Sequence, residues 1–217
     1  MISFAPFARP LYVMAKPVGS LCNLACKYCY YLDKAHLYDN LPQKERFTMS
    51  DHTLEEFIRQ YLEAQTLPQV LFTWHGGEPL MRPLSFYKRV LALQKRYARG
   101  RIIDNCLQTN GTLLNDEWCE FFHENNWLIG ISIDGPQEFH DEYRRSRGGQ
   151  PSFLKVMRGI RLLQKHGVEW NAMGVVNDYN ADYPLDVYHF YKENDPVCAD
   201  YRASTLVSQP STLFRGS

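Results

Sequence analysis

Short apolar runs alternate along the chain with stretches in which apolar residues recur every three or four positions, and the alternation repeats about five times. The runs at residues 11–15, 69–74, 101–107, 127–133 and 169–176 predict strands, of which 127–133 carries the strongest signal. Helices are predicted between them. The first follows Ser50, a suitable N-cap with Asp51 in the opening turn, and sets Leu54, Phe57, Ile58, Tyr61 and Leu62 on one face. Further helices are predicted over 83–99, 115–125, 137–144, 152–166, where Gly167 supplies the stop, and 183–193. The opening residues 1–10, with two prolines, read as an irregular lead-in. Residues 16–34, 38–46 and 146–150 read as loops, the second mobile and the third flexible. Regular strand–helix alternation implies a parallel sheet with helices outside it, either open or curled into a barrel.

The 217 residues suffice for one substantial core and are few for two. Twenty-four basic residues balance twenty-four acidic ones, so charge gives no footprint for nucleic acid or a membrane surface. No apolar run approaches the roughly 18 residues of a membrane span. The first ten residues have neither the basic nor the apolar region of a secretory signal. Six cysteines could form three disulfides, but three of them fall between positions 22 and 29. That clustering argues for a metal centre, and hence for a reducing, cytoplasmic setting.

Cys22, Cys26 and Cys29 are spaced C-x3-C-x2-C. Three thiolates on one tight loop can grip three corners of a cubic iron–sulfur cluster and leave the fourth iron open; four Cys ligands is the usual number. A structural zinc ion takes four ligands from paired loops. No second Cys pair exists here, although His36 or His75 can complete such a set. Gly76-Gly77-Glu78-Pro79 lets backbone approach a ligand closely, and by itself also reads as a Gly-Gly turn ended by proline. The cysteine loop, this turn, residues 108–111 and residues 132–135 all follow the C-terminal ends of predicted strands, where the active sites of parallel α/β folds gather. Cys106 and Cys119 follow no ligand spacing and read as packing residues. Of the remaining histidines, His140 beside Asp141 is a weak acid–base candidate.

With Tyr28 as its aromatic residue, the cysteine motif resembles that of the radical S-adenosylmethionine (radical SAM) superfamily, and residues 76–79 resemble its GGEP motif. The resemblance implies an α/β fold, a partial (β/α)6 TIM-like barrel, here truncated after about five β/α units. It implies a [4Fe–4S] cluster on Cys22, Cys26 and Cys29, with SAM on the open iron and reductively cleaved to a 5′-deoxyadenosyl radical. It further implies that Gly77 lies at the SAM amino group, that Ser132 contacts SAM, and that Arg144 pairs with its carboxylate while Arg145 is solvated. The Tyr28 backbone is expected near the adenine; Gln108 and Asn110 offer amides to SAM or substrate, or simply form an Asn-Gly turn.

A closer resemblance, over about residues 8–193, is to the anaerobic sulfatase-maturating enzymes. It rests on Val13 to Pro17, Cys22-Asn23-Leu24, Cys29 to Leu32, Phe72-Thr73-Trp74, Leu107 to Gly111, Asp116 to Cys119 and Gly130 to Pro136. These enzymes form Cα-formylglycine from a Cys or Ser of a sulfatase, so the implied partners are a Cys/Ser-x-Pro-x-Arg segment and a reductant such as flavodoxin or ferredoxin. His75 stands where many members have Gln. The family's catalytic base, and its Cys-rich SPASM domain with two auxiliary clusters, find no counterpart in this sequence, so no catalytic residue is assigned. The expected organisation is a radical SAM core over 1–193, an incomplete barrel, followed by a divergent, disordered tail over 194–217. The abrupt loss of pattern there suggests a truncated or frameshifted reading frame and an unstable isolated chain. Other peptide-modifying radical SAM enzymes, or a remnant that only binds cluster and SAM, are the alternatives.

Overall fold

The computed structural model describes residues 11–34 and 48–194. The lead-in, the 38–46 loop, His36, Cys198 and the tail beyond Asn194 lie outside the described residues. Five strands form one sheet: β1 (Met14–Ala15), β2 (Gln69–Trp74), β3 (Ile102–Thr109), β4 (Leu128–Ser132) and β5 (Trp170–Met173). Their spatial order is their sequence order and every pairing is parallel. Right-handed crossovers between strands laid down in sequential order place every intervening helix on the same face. The opposite face is then the concave interior of a partial barrel, not the second helical layer of a doubly wound sheet.

Among the described residues the helices are α1 (Tyr31–Lys34), α2 (Asp51–Ala64), α3 (Leu84–Tyr97), α4 (Asp116–Glu124), α5 (Gln137–Tyr143), α6 (Phe153–Lys165) and α7 (Pro184–Asn194), with a 3-10 turn at Pro79–Met81. The Ser50 hydroxyl caps α2 by accepting from Thr53 N at 3.1 Å, and the Asn115 side chain caps α4 through Trp118 N at 2.9 Å. Gly167, at φ 65°, closes α6 in the left-handed region that favours glycine. No helix among the described residues is long and apolar enough to cross a membrane.

Alternate strand residues face opposite ways. Val70, Phe72, Trp74, Leu107, Ile129, Ile131 and Trp170 pack beneath the helices with Leu54, Ile58, Val90, Phe122, Val156 and Ile160. The other parity lines the concave face with a polar row, in which Cys106 donates to Thr73 Oγ1 (3.3 Å) and Gln108 to Ser132 Oγ (2.9 Å). The row is tight at Gly130, where an added Cβ would lie 2.0 Å from Gln108 Oε1. Cys119 is buried in the core on α4, whereas Cys106 belongs to this concave row and is half-buried.

Three predicted strands are shorter than expected: β4 lacks one residue at each end, and in β1 and β5 side chains take backbone groups a short way beyond the strand. The carbonyl of Leu11 accepts from the Tyr61 hydroxyl (3.2 Å) and Gln65 Nε2 (2.8 Å), so β1 pairs only at Met14–Ala15. Val175 N donates to Asp134 Oδ1 at 2.9 Å instead of to a strand, and β5 ends at Met173. In the other direction β3 runs two residues further, taking Gln108 and Thr109 out of the predicted turn and pairing them with Gly130 and Ile131.

Candidate functional site

Because all five strands are parallel, their C-terminal ends share one rim, and four rim segments interlock there. The loop carrying the three cysteines leaves β1 and lies between two backbone segments. On one side Gly77 N donates to Gly19 O (2.8 Å) and Glu78 N to Leu21 O (2.7 Å). On the other, Ala25 N donates to Arg145 O (2.8 Å), Lys27 N to Tyr143 O (2.9 Å), and Arg147 Nε to Cys22 O (2.8 Å). Gly77 is required by this packing: an added Cβ would sit 1.9 Å from Leu21 O. Its N–H is taken by the cysteine loop, so what it can offer a ligand is its carbonyl.

Glu78, fully buried, braces the turn. Its carboxyl accepts from Leu80 N (2.9 Å), Thr109 Oγ1 (2.7 Å) and Asn110 N (2.7 Å), and so joins the end of β2 to the end of β3. Asn110 then anchors the cysteine loop. Its Nδ2 donates to Asn23 Oδ1 (2.8 Å) and lies 3.7 Å from Cys22 Sγ, and its Oδ1 accepts from Thr112. Its amide is therefore engaged in holding the loop. The Gln108 amide is likewise engaged, with the Ser132 hydroxyl, which keeps its own proton for another acceptor.

The three thiols fit an iron–sulfur cluster in their chemistry. Burial pushes Cys22 up to about 12, against the opposing bond from Leu24 N, and Cys26 up to about 11, against the nearby Arg144 cation. Cys22 and Cys26 are thus neutral at pH 7, and a bound cationic centre is what would convert them to thiolates. Amide donors already point at Cys22 Sγ, from Leu24 N at 3.4 Å and from Asn110, as sulfur ligands of a cluster accept them. Among the described residues no three His, Cys, Asp or Glu side chains converge on a single-ion site. His75 is engaged locally, accepting from Gly76 N at 2.6 Å through Nδ1.

Arg144 and Asp134 form a buried ion pair beside this loop. Arg144 Nε donates to Asp134 Oδ2 (2.9 Å) and Nη2 to Oδ1 (3.0 Å). The Tyr28 hydroxyl donates to Oδ2 at 2.5 Å, and the Arg144 guanidinium lies 5.4 Å from the Tyr28 ring centre. Arg145 is half-buried, and its Nη1 donates to Gly149 O at 3.4 Å. Ser132, Arg144, Tyr28 and Gly77 thus all lie at the rim that carries the cysteines. In sequence, Asp134 is marked only by its place in the Asp-Gly-Pro turn that follows the strongest predicted strand.

His140 is fully buried and not available as an acid or base. Ser152 Oγ donates to Arg144 O (2.7 Å), so it accepts from His140 Nε2 (2.9 Å), and the remaining nitrogen, Nδ1, accepts from Asp134 N (3.4 Å). Asp141 takes over the start of α6, accepting from Ser152 N (2.8 Å) and Phe153 N (2.9 Å). Burial, reinforced by Arg144, holds His140 down at about 4, while burial pushes Glu78 up to about 7 despite its three donors. The contribution of His140 to stability is present above its ordinary value of 6.5 and is lost as pH falls towards 4. That of Glu78 is present below 4.5 and is lost as pH rises towards 7. The two oppose each other between these limits. In His140→Asn only the Glu78 contribution remains, so urea melts across pH 4.5–6.5 should show stability falling relative to wild type by up to about 1.4 kcal/mol per pH unit. An unchanged slope would contradict the neutral, buried state of His140.

Comparison with known proteins places these features in a family. Residues 17–191 match the family model of the radical SAM superfamily. The chain is 72% identical over 193 residues to a serine-type anaerobic sulfatase-maturating enzyme of Bacteroides thetaiotaomicron, covering 89% of this chain and 46% of that protein. It is 37% identical over 187 residues to a cysteine-type enzyme of Clostridium perfringens, covering 86% and 50%. The solved structure of native anSMEcpe with bound AdoMet and Cp18Cys peptide superposes with a TM-score of 0.77 at 35% identity, over 86% of this chain and 49% of that one. The chain spans about half the length of the relatives it matches. The cysteine loop, the GGEP turn and the sequentially ordered parallel sheet are therefore shared features of descent: the chain belongs to the radical SAM superfamily and is similar to the anaerobic sulfatase-maturating enzymes within it.

Proposed function

We propose that this chain is the cofactor-binding core of an anaerobic sulfatase-maturating enzyme, acting in the cytoplasm on a Cys/Ser-x-Pro-x-Arg segment of a sulfatase. The observation that carries this is 72% identity over 193 residues to a serine-type enzyme. By that relative's name, serine is the preferred target residue. Cys22, Cys26 and Cys29 hold a [4Fe–4S] cluster; Gly77, Ser132, Arg144 and the Tyr28 backbone hold SAM. When bound and reduced by a flavodoxin- or ferredoxin-type partner, the cluster would supply one electron for splitting SAM into methionine and a hydrogen-abstracting 5′-deoxyadenosyl radical.

The protein's own part is positioning. The two backbone seams fix the cysteine loop, and Ser132 keeps a hydroxyl proton free on the concave face.

The test is anaerobic reconstitution followed by incubation with SAM, dithionite and peptides that differ only in Ser or Cys at the target position. Formylglycine in the serine peptide, seen by mass spectrometry, is the expected result, with slower conversion of the cysteine peptide. SAM cleavage with neither peptide modified would defeat the maturase assignment for this chain.

A further inference from the structure

The Asp134 carboxylate is fully buried and receives four donors from three separate parts of the chain. Arg144 Nε and Nη2 come from the end of α5, the Tyr28 hydroxyl from between two of the cysteines, and Val175 N from the segment after β5. Its carbonyl also receives Asn180 Nδ2 at 3.4 Å, and its N–H is bound to His140. Arg144 is fixed equally at its backbone, where the carbonyl accepts from Ser152 and the N–H donates to His140 O at 2.9 Å. Two of the three guanidinium nitrogens are thus committed. Nη1 has no partner among the described residues and is not sealed from solvent.

We propose that Asp134 is a positioning residue for SAM binding: it orients the Arg144 guanidinium with Nη1 free for the carboxylate of the ligand, and through Tyr28 it ties that orientation to the cysteine loop. This rests on the assignment of SAM to the rim. A carboxylate with every lone pair engaged holds the planar fork of Arg in one geometry, which a mobile surface Arg would have to find on binding. The Tyr28 hydroxyl makes the same carboxylate sense where the loop lies, because Tyr28 stands between Cys26 and Cys29.

The experiment is a double-mutant cycle on the full chain, reconstituted anaerobically, with the SAM dissociation constant read by equilibrium dialysis and by the change in the electron paramagnetic resonance of the reduced cluster. Asp134→Asn keeps the side chain's shape and should retain iron while weakening SAM by about tenfold to a hundredfold, the loss of a charged hydrogen-bonded pair. In an Arg144→Ala background the same change should weaken SAM by no more than about twofold, because its effect passes through Arg144. Equal penalties in both backgrounds would show a general structural role and overturn the proposal. Should Asp134→Asn fail to fold, as judged by circular dichroism, Tyr28→Phe, which removes one hydroxyl, serves in its place. Its expected weakening is about threefold to tenfold, again absent without Arg144. Wild type that binds no SAM at all would defeat the assignment of the site itself, a result distinct from an additive cycle.

Discussion

Cys26→Ala is expected to abolish the iron–sulfur absorbance and, with it, all SAM cleavage, while the barrel stays folded. The separation follows from where the loop gets its shape. Its path is set by backbone bonds from Ala25 N and Lys27 N to Arg145 and Tyr143, and from Gly77 N and Glu78 N to Gly19 and Leu21; none of these needs the thiol. Cys26 lies outside the aromatic and aliphatic core beneath the helices. The comparison variant is Cys119→Ala. Cys119 is fully buried in that core, so this change should cost about 1–3 kcal/mol of stability and leave iron content unchanged. Iron and sulfide analysis alongside thermal melts reads both effects. Iron retained in Cys26→Ala at the wild-type level would mean that the loop is not the cluster's ligand set.

The largest effect on stability is expected from Gly77→Ala. Its Cβ would lie 1.9 Å from Leu21 O, 2.4 Å from Leu21 C and 2.7 Å from Ser20 O, all backbone atoms that cannot rotate aside. The turn and the cysteine loop must part, which breaks the bonds from Gly77 N and Glu78 N and unseats the Glu78 brace. The expected loss is about 3 kcal/mol, the upper end of overpacking costs, together with reduced iron incorporation. Gly100→Ala is the counterpart, because Gly100 has φ 80° and nothing within 4 Å of its ideal Cβ. It should cost about 1–2 kcal/mol from backbone strain alone and leave iron unaffected. Equal losses in the two variants would mean that close packing at Gly77 is not what holds the loop.

How far the sequence could be read depended on what each residue does locally. The apolar run at 69–74 has ends that match β2, because its buried parity faces the helices and its turn residues follow at once. The periodic stretch after Ser50 matches α2 for the same reason, with the cap chemistry in place. The runs at 11–15 and 169–176 overshoot. Their apolar residues suggest strand, but Tyr61, Gln65 and Asp134, distant in sequence, take backbone groups a short way beyond β1 and β5. The cysteine loop and GGEP turn were legible because their spacing is local. Asp134 was not, since its four donors come from positions up to 106 residues away and Asp-Gly-Pro reads as an ordinary turn. His140 beside Asp141 suggested acid–base chemistry. The fold instead sends the two side chains to different tasks, His140 to Ser152 and Asp141 to the start of α6.

The first experiment is anaerobic reconstitution of the full chain with iron and sulfide, reduction by dithionite in the presence of SAM, and chromatography for 5′-deoxyadenosine. Deoxyadenosine formed by wild type and absent from Cys26→Ala is the expected result, and it would establish a working radical SAM site on Cys22, Cys26 and Cys29. An assembled cluster that yields no deoxyadenosine under the same conditions would contradict the account.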